Sequence, residues 1–297
     1  MPNVLEGLFQ VVADGLASGT IYAAVALSLA LIYRTTGVVN FAQGEIGMIG
    51  TFIAWALLQR GIPLIASVAL ALALAFLLGA AMERFVIRPI QRFGELSALL
   101  TTLGMFLMLN EIAPWIWGPE NRAFPSLFGA GVVDLGSVRI SASSLGTLVL
   151  MLAVVAAFFA LLHATKLGLS MRAAAANPES SGLCGIPTQR VFMLGWGLSA
   201  MMSTLAGVLS APRLFLDSSL MVGVIIYAFA AAALGGFTSL GGAVLGGLLI
   251  GLSETLASNY LPFIGSDLKM LVPLVVLLLV LLIKPNGLFG QAAGRSV

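Results

Sequence analysis

The sequence predicts an all-α fold, a polytopic transmembrane helical bundle of eight or nine spans with broken helices. Three observations carry that prediction. The first is composition: 60% of the 297 residues are hydrophobic and only 9% are charged. Soluble domains run near one-quarter charged, so there are too few ionic groups here to cover a surface facing water. The second is a succession of apolar stretches close to the roughly 20 residues that a helix rising ~1.5 Å per residue needs to cross hydrocarbon. The third is a pair of polar, glycine-punctuated interruptions, Gly37–Glu45 and Gly235–Gly242, between apolar stretches.

Residues 15–33 carry no charge and form the first span. Residues 62–82, 143–162, 191–211 and 268–283 are clear spans. The last is short and very apolar, and Pro273 is expected to kink it. Residues 96–117 form a span with Glu111 toward one end. Stretches 45–59, 218–234 and 243–259 are shorter or rich in small residues, and suit a position inside the bundle better than one facing lipid. Short loops rich in Lys and Arg stay on the inner side of a membrane. That rule places Arg84, Arg88 and Arg92, the 166–190 segment and the tail with Lys284 and Arg295 inside. The 118–142, 212–217 and 260–267 segments then lie outside, the first being the largest external loop, able to contain a short strand or helix and to receive a soluble partner.

The remaining composition excludes several chemistries. Cys184 is the only cysteine and His163 the only histidine, so there is no CxxC pair, no HExxH zinc motif and no internal disulfide. No GxxxxGK[ST] loop occurs, so any ATP used must be bound by another chain. No metal site is expected. A net charge of +2 from scattered basic residues does not suggest nucleic acid. His163 reads as an interfacial residue.

Three constellations carry functional weight. The first is the break around Asn40, Phe41, Gln43, Gly44 and Glu45. Lipid tolerates irregular backbone only where it is buried in protein or lines a wet cavity, and transporters place substrate at such breaks. Gly44-Glu45 opens the next helix, whose end can hold a carboxylate. Glu45 can meet a substrate ammonium, pair with Arg34, or simply cap its own helix. Asn40 and Gln43 read as groups holding the break in shape. The second is the run containing Gly235, Gly236, Gly242, Gly246, Gly247 and Gly251. Its small-xxx-small spacing lets helix backbones approach closely, and the Gly235–Gly242 turn can act as a hinge. Glu254 follows, an ionisable group inside an apolar helix and a further candidate for the pathway. The third is the amphipathic 166–190 segment, with Arg172, Ala173, Ala176, Asn177 and Glu179 as candidates for docking in a groove of a soluble partner. A weak echo relates Gly19-Thr20-Ile21-Tyr22-Ala23 to Gly223-Val224-Ile225-Ile226-Tyr227-Ala228, each leading to one of the two breaks.

These residues resemble the LivH-type permeases of branched-chain amino acid ABC importers. The resemblance rests on Gly19–Ala23 with Thr36–Glu45, on Arg172–Asn177 followed by Gly185-Ile186, on Gly235–Gly247 followed by Glu254, and on the ending Pro285–Gly290. Where many family members have His, this chain has Gln43, which bears on the substrate. The resemblance implies one permease domain over 1–297 in a bacterial inner (plasma) membrane, working by alternating access. It implies a second related permease, two cytoplasmic ATP-binding subunits carrying ATP and Mg, and a periplasmic or lipid-anchored substrate-binding protein. The 166–190 segment becomes the element that couples to the ATPase. No catalytic residue and no cofactor is expected on this chain. Urea or short amides are the neighbouring substrate classes, and a stand-alone secondary transporter using Glu45 and Glu254 is the alternative of a different kind.

Overall fold

The computed structural model describes residues 3–129, 131–135, 138–261, 268–284 and 287–290. Most of the 260–267 connection, Pro285 and the tail with Arg295 lie outside the described residues. The chain is helical almost throughout. In order, the helices are α1 (Asn3–Thr36), α2 (Gln43–Gln59), α3 (Leu64–Met82), α4 (Arg88–Gln91), α5 (Glu95–Trp117), α6 (Ala142–Ala164), α7 (Lys166–Ala176), α8 (Pro178–Leu183), α9 (Thr188–Leu214), α10 (Leu220–Gly235), α11 (Leu240–Tyr260) and α12 (Leu271–Ile283). A π-helical stretch, Glu83–Ile87, joins α3 to α4. Among the described residues, the two named strands form an antiparallel hairpin of β1 (Val132–Leu135) and β2 (Val138–Ser141), within the segment expected as the large loop.

Among the described residues, six helical stretches are long and apolar enough to cross a membrane: Gly7–Thr36, Leu64–Gln91, Glu95–Trp117, Ala142–Ala164, Thr188–Leu214 and Leu240–Tyr260. Two of the expected stretches differ in length from the helices found. The 243–259 stretch, taken as short, belongs to the 21-residue α11 and is one of the six. The 268–283 stretch, taken as a clear span, yields a helix of 13 residues. Pro273 does not kink it, because it sits in the first turn, where its missing N–H has no intrahelical partner to lose.

The chain is described as two compact units, each taken by itself. One comprises residues 31–124 and 153–222. Its core is α2, α3 and α9. Helices in lipid gain nothing from hiding apolar surface from each other, so close van der Waals contact has to hold them together. Glycines make that contact possible. Gly47 lies against the Ser203 backbone, Gly50 against Thr204, and Gly207 against Thr51, so α2 and α9 run parallel with almost no side chain between them. Gly79 lies against Trp196 and Ala200, and Gly197 against Phe76, so α3 crosses α9 in the opposite direction. Where α3 leads through the π-helical stretch into α4, the buried carboxylate of Glu83 accepts two hydrogen bonds from Arg88, at 2.6 and 3.1 Å. Arg88 also donates to the carbonyl and side chain of Gln189 at the start of α9. Arg88 is therefore held in a clamp rather than being a free loop charge. Leu70, Leu74 and Leu77 of α3 and Leu100 and Leu107 of α5 are exposed, as suits helices bathed in lipid.

The other unit comprises residues 1–30, 125–152 and 223–297. Gly15 and Gly19 of α1 face Gly251, Leu248 and Gly247 of α11, and Gly247 lies on the backbone of Ala23. Helices α10 and α11 form a hairpin in which Gly235 meets Gly242 and Gly246 meets the Ala231 carbonyl. The chain after α12 ties back, with Leu288 N–H donating to Leu234 O at 2.7 Å and Phe289 N–H to Gly235 O at 3.2 Å.

The glycine contacts are testable. A side chain at Gly247 overlaps the Ala23 backbone, whereas a Cβ at Gly241 meets nothing within 4 Å. Gly247→Val is expected to cost about 1–3 kcal/mol through overpacking, seen as a lowered melting temperature in detergent. Gly241→Ala is expected to leave it unchanged or slightly raised.

Candidate functional site at the α1–α2 break

Helix α1 stops because Gly37 takes φ +74°, a backbone conformation that side chains other than glycine resist. Its N–H still closes on Tyr33 O at 2.8 Å. The five residues that follow leave helical geometry, so their polar groups need other partners. Asn40, fully buried, supplies several. Its Oδ1 accepts from the Ala42 N–H at 3.1 Å and its Nδ2 donates to Gln43 Oε1 at 2.9 Å. Gln43 passes the network to α9, its Nε2 donating to Ser199 O at 2.9 Å and Ser203 Oγ at 2.7 Å. Thr102 of α5 donates to Val39 O at 3.4 Å. Gly44 is buried and Phe41 half-buried.

Glu45 stands in the first turn of α2, where a negative charge suits the helix dipole. It is 1% exposed. Its Oε2 accepts from Asn110 Nδ2 at 3.3 Å, and the same amide donates to Ser218 O at 2.9 Å. Among the described residues no ion pair joins Glu45 to Arg34. A buried carboxylate with one long hydrogen bond has unused acceptor capacity. Next to the break lies a cavity of about 330 Å³ lined by Tyr33, Gly37, Val38, Val39, Glu95, Leu96 and Leu99, within the size range of small-molecule pockets. The arrangement offers a buried carboxylate with amide and hydroxyl groups around it, and among the described residues it contains no nucleophile poised beside a base.

The second candidate group lies in the other unit. Glu254 is buried in α11 and accepts from Tyr22 Oη at 2.8 Å. Tyr22 stacks on Tyr227, with ring centroids 4.7 Å apart and planes at 16°. The two tyrosines of the sequence echo are therefore partners across the fold, and a phenol holds the Glu254 carboxylate in place. Gly236, at φ +93°, turns the chain between α10 and α11. Gly235, Gly242, Gly246, Gly247 and Gly251 all serve close backbone approach.

The 166–190 segment folds as α7 and α8. Thr165 caps α7 by accepting from the Gly168 N–H, and Asn177 caps α8 by accepting from the Ser180 N–H at 2.9 Å, with Pro178 in the first turn. Met171 and Ala174 face the interior and Arg172 and Ala173 are half-buried, while Ala176, Asn177 and Glu179 are exposed. Leu183 is 92% exposed. The five coupling candidates thus divide between the two faces.

The sequence reading missed Asn110, Ser199, Ser203, Ser218, Tyr22 and Tyr227 as partners of the named groups. A signal exists for Asn110, an amide within an apolar span, though Glu111 beside it is the more conspicuous polar residue and is exposed. The serines gave no signal, because isolated serines in apolar helices usually bond to their own turn.

Comparison with known proteins places these features. Residues 11–281 match the family described as the permease component of branched-chain amino acid transport systems. The chain is 33% identical to the high-affinity branched-chain amino acid transport system permease protein LivH of Salmonella typhimurium, over 96% of each chain, and equally so to LivH of Escherichia coli K12. It is 29% identical over the full length of both chains to the permease protein BraD of Pseudomonas aeruginosa. A helical membrane architecture, a broken helix carrying a buried carboxylate and a family match over most of the sequence agree: the chain belongs to the family of permease components of branched-chain amino acid transport systems.

Proposed function

We propose that this chain is the membrane-spanning permease subunit of an ATP-driven importer that carries leucine, isoleucine and valine by alternating access. The observation that carries the proposal is the buried Glu45 at the α1–α2 break, held by Asn110 and flanked by the Asn40–Gln43 network. A zwitterionic solute with an apolar side chain needs a charge for its ammonium and an apolar lining for the rest. Glu45 meets the first need, and the apolar residues around the break, Val38, Val39 and Ile46 among them, meet the second. The names of the relatives support the choice of branched-chain amino acids over urea or amides, and a driven subunit over one working alone.

The proposal includes eight or nine spans, the shorter α2, α10 and α12 counting with the six long helices, in a bacterial inner membrane. Hairpin β1–β2 and its flanks then face outward and α7–α8 inward. A second related permease, two ATP-binding subunits holding ATP and Mg, and a substrate-binding protein outside complete the complex. The exposed edge running from Ala176 through Glu179 to Leu183 suits a groove in the ATP-binding subunit, and hydrolysis takes place there, not on this chain.

In proteoliposomes containing the whole complex, leucine uptake is expected to require both ATP and the binding protein; uptake indifferent to ATP overturns the reading. Glu45→Gln is expected to lower uptake about tenfold or more, the worth of one charge-assisted hydrogen bond, with normal yield of folded complex, whereas normal uptake assigns Glu45 to capping alone. Leu183→Asp is expected to leave ATP hydrolysis running while uptake falls, measured as solute moved per ATP consumed.

A further inference from the structure

The segment after α5 and the segment after α9 are joined by a short backbone pairing. Arg122 N–H donates to Leu216 O at 3.0 Å, and Leu216 N–H donates to Arg122 O at 2.8 Å. Leu216 is fully buried. The Arg122 guanidinium lies over the Trp55 ring of α2, 4.3 Å from its centroid, and donates to the Trp117 carbonyl at the end of α5. Trp117 in turn stacks on Phe52 of α2, at 5.1 Å. No carboxylate pairs with Arg122 among the described residues, and its Nε is buried without a hydrogen bond. With no counter-ion, this cation is held by the ring face and one carbonyl alone.

The strap held in this way reaches the candidate site. Two residues beyond Leu216, the Ser218 carbonyl receives Asn110, and Asn110 holds Glu45. On the other side of Leu216, Phe215 has φ +62°, the one positive value outside glycine among the described residues, and its side chain is exposed. A bulky residue holds that conformation only while its surroundings impose it. Release of Leu216 frees Phe215 to relax and takes the second acceptor from Asn110.

We infer that Arg122 is a positioning residue for transport: it latches the 215–219 strap over the Asn110–Glu45 pair and so keeps the outward end of the pathway shut until the strap is released. This rests on the proposed pathway through the α1–α2 break, and the test separates the two. In a Cys184→Ser background of the full complex, Ser218→Cys is labelled with a membrane-impermeant maleimide added from outside, and ATP-independent leakage of leucine is followed in parallel. Arg122→Gln and Trp55→Leu are each expected to raise labelling rate and leakage about fivefold or more, the factor expected for loss of one such contact. Arg122→Lys, which keeps a cation over Trp55, is expected to return both toward the original values, and Arg60→Gln is expected to change neither. Unchanged labelling in both Arg122→Gln and Trp55→Leu overturns the latch, even where uptake falls. Faster labelling in a complex that shows no ATP-dependent uptake upholds the latch and rejects the transport reading instead.

Discussion

The unit built on α2, α3 and α9 depends on one constraint: backbone that leaves a helix among apolar helices must find hydrogen-bond partners inside the protein. Peptide groups left unpaired in hydrocarbon cost several kcal/mol each. Between Thr36 and Gln43 the chain meets this constraint with side chains. Asn40 imitates the missing backbone partners on one side, and Gln43 carries the network to Ser199 and Ser203 on α9. That network needs α2 and α9 to lie within a few ångströms of each other, which Gly47, Gly50 and Gly207 permit. Packing and polar satisfaction are therefore one requirement, and a bulkier residue at any of these glycines disturbs both.

The same physics gives Glu45 its character. A carboxylate buried in such a place is normally satisfied by a cation or by several donors. Here the donor is one amide, itself shared with the Ser218 carbonyl. Glu254 is treated differently, its carboxylate facing a phenol that is locked by stacking on a second ring. Of Glu45 and Glu254, Glu45 retains more capacity for a ligand, and Glu254 is more fully part of the packing of its own unit. The Glu83–Arg88 pair is a third arrangement, fully bidentate and tied to α9, and reads as a fastening.

Charge is placed with similar economy at the ends of the helices. Arg88 and Arg122 sit at opposite ends of the α2–α3–α9 group, since one meets the start of α9 and the other the residues after its end. Arg88 has a carboxylate and is held firmly. Arg122 has an aromatic ring and a carbonyl in place of a carboxylate. The two ends of the group are thus fastened by different physics, an ion pair at one and a cation on an aromatic face at the other.

Much of this was legible in the chain itself. Apolar stretches located nearly every long helix, because hydrocarbon demands continuous apolar helix and the amino-acid order must supply it. Glycine and Asn40 marked the α1–α2 break, because few other residues fit there. Local order did not show that α11 runs for 21 residues while α12 has 13. Nor could it say that Tyr22 stacks on Tyr227, that Asn110 rather than Arg34 meets Glu45, or that Arg122 lies on Trp55. Those pairings join residues dozens to hundreds of positions apart, and only the close approach of glycine-faced helices brings them within reach. Composition and periodicity decide that the chain enters a membrane and where it breaks; which polar groups meet at the break is decided by three-dimensional packing, because a hydrogen bond depends on distance and direction, and sequence order specifies neither.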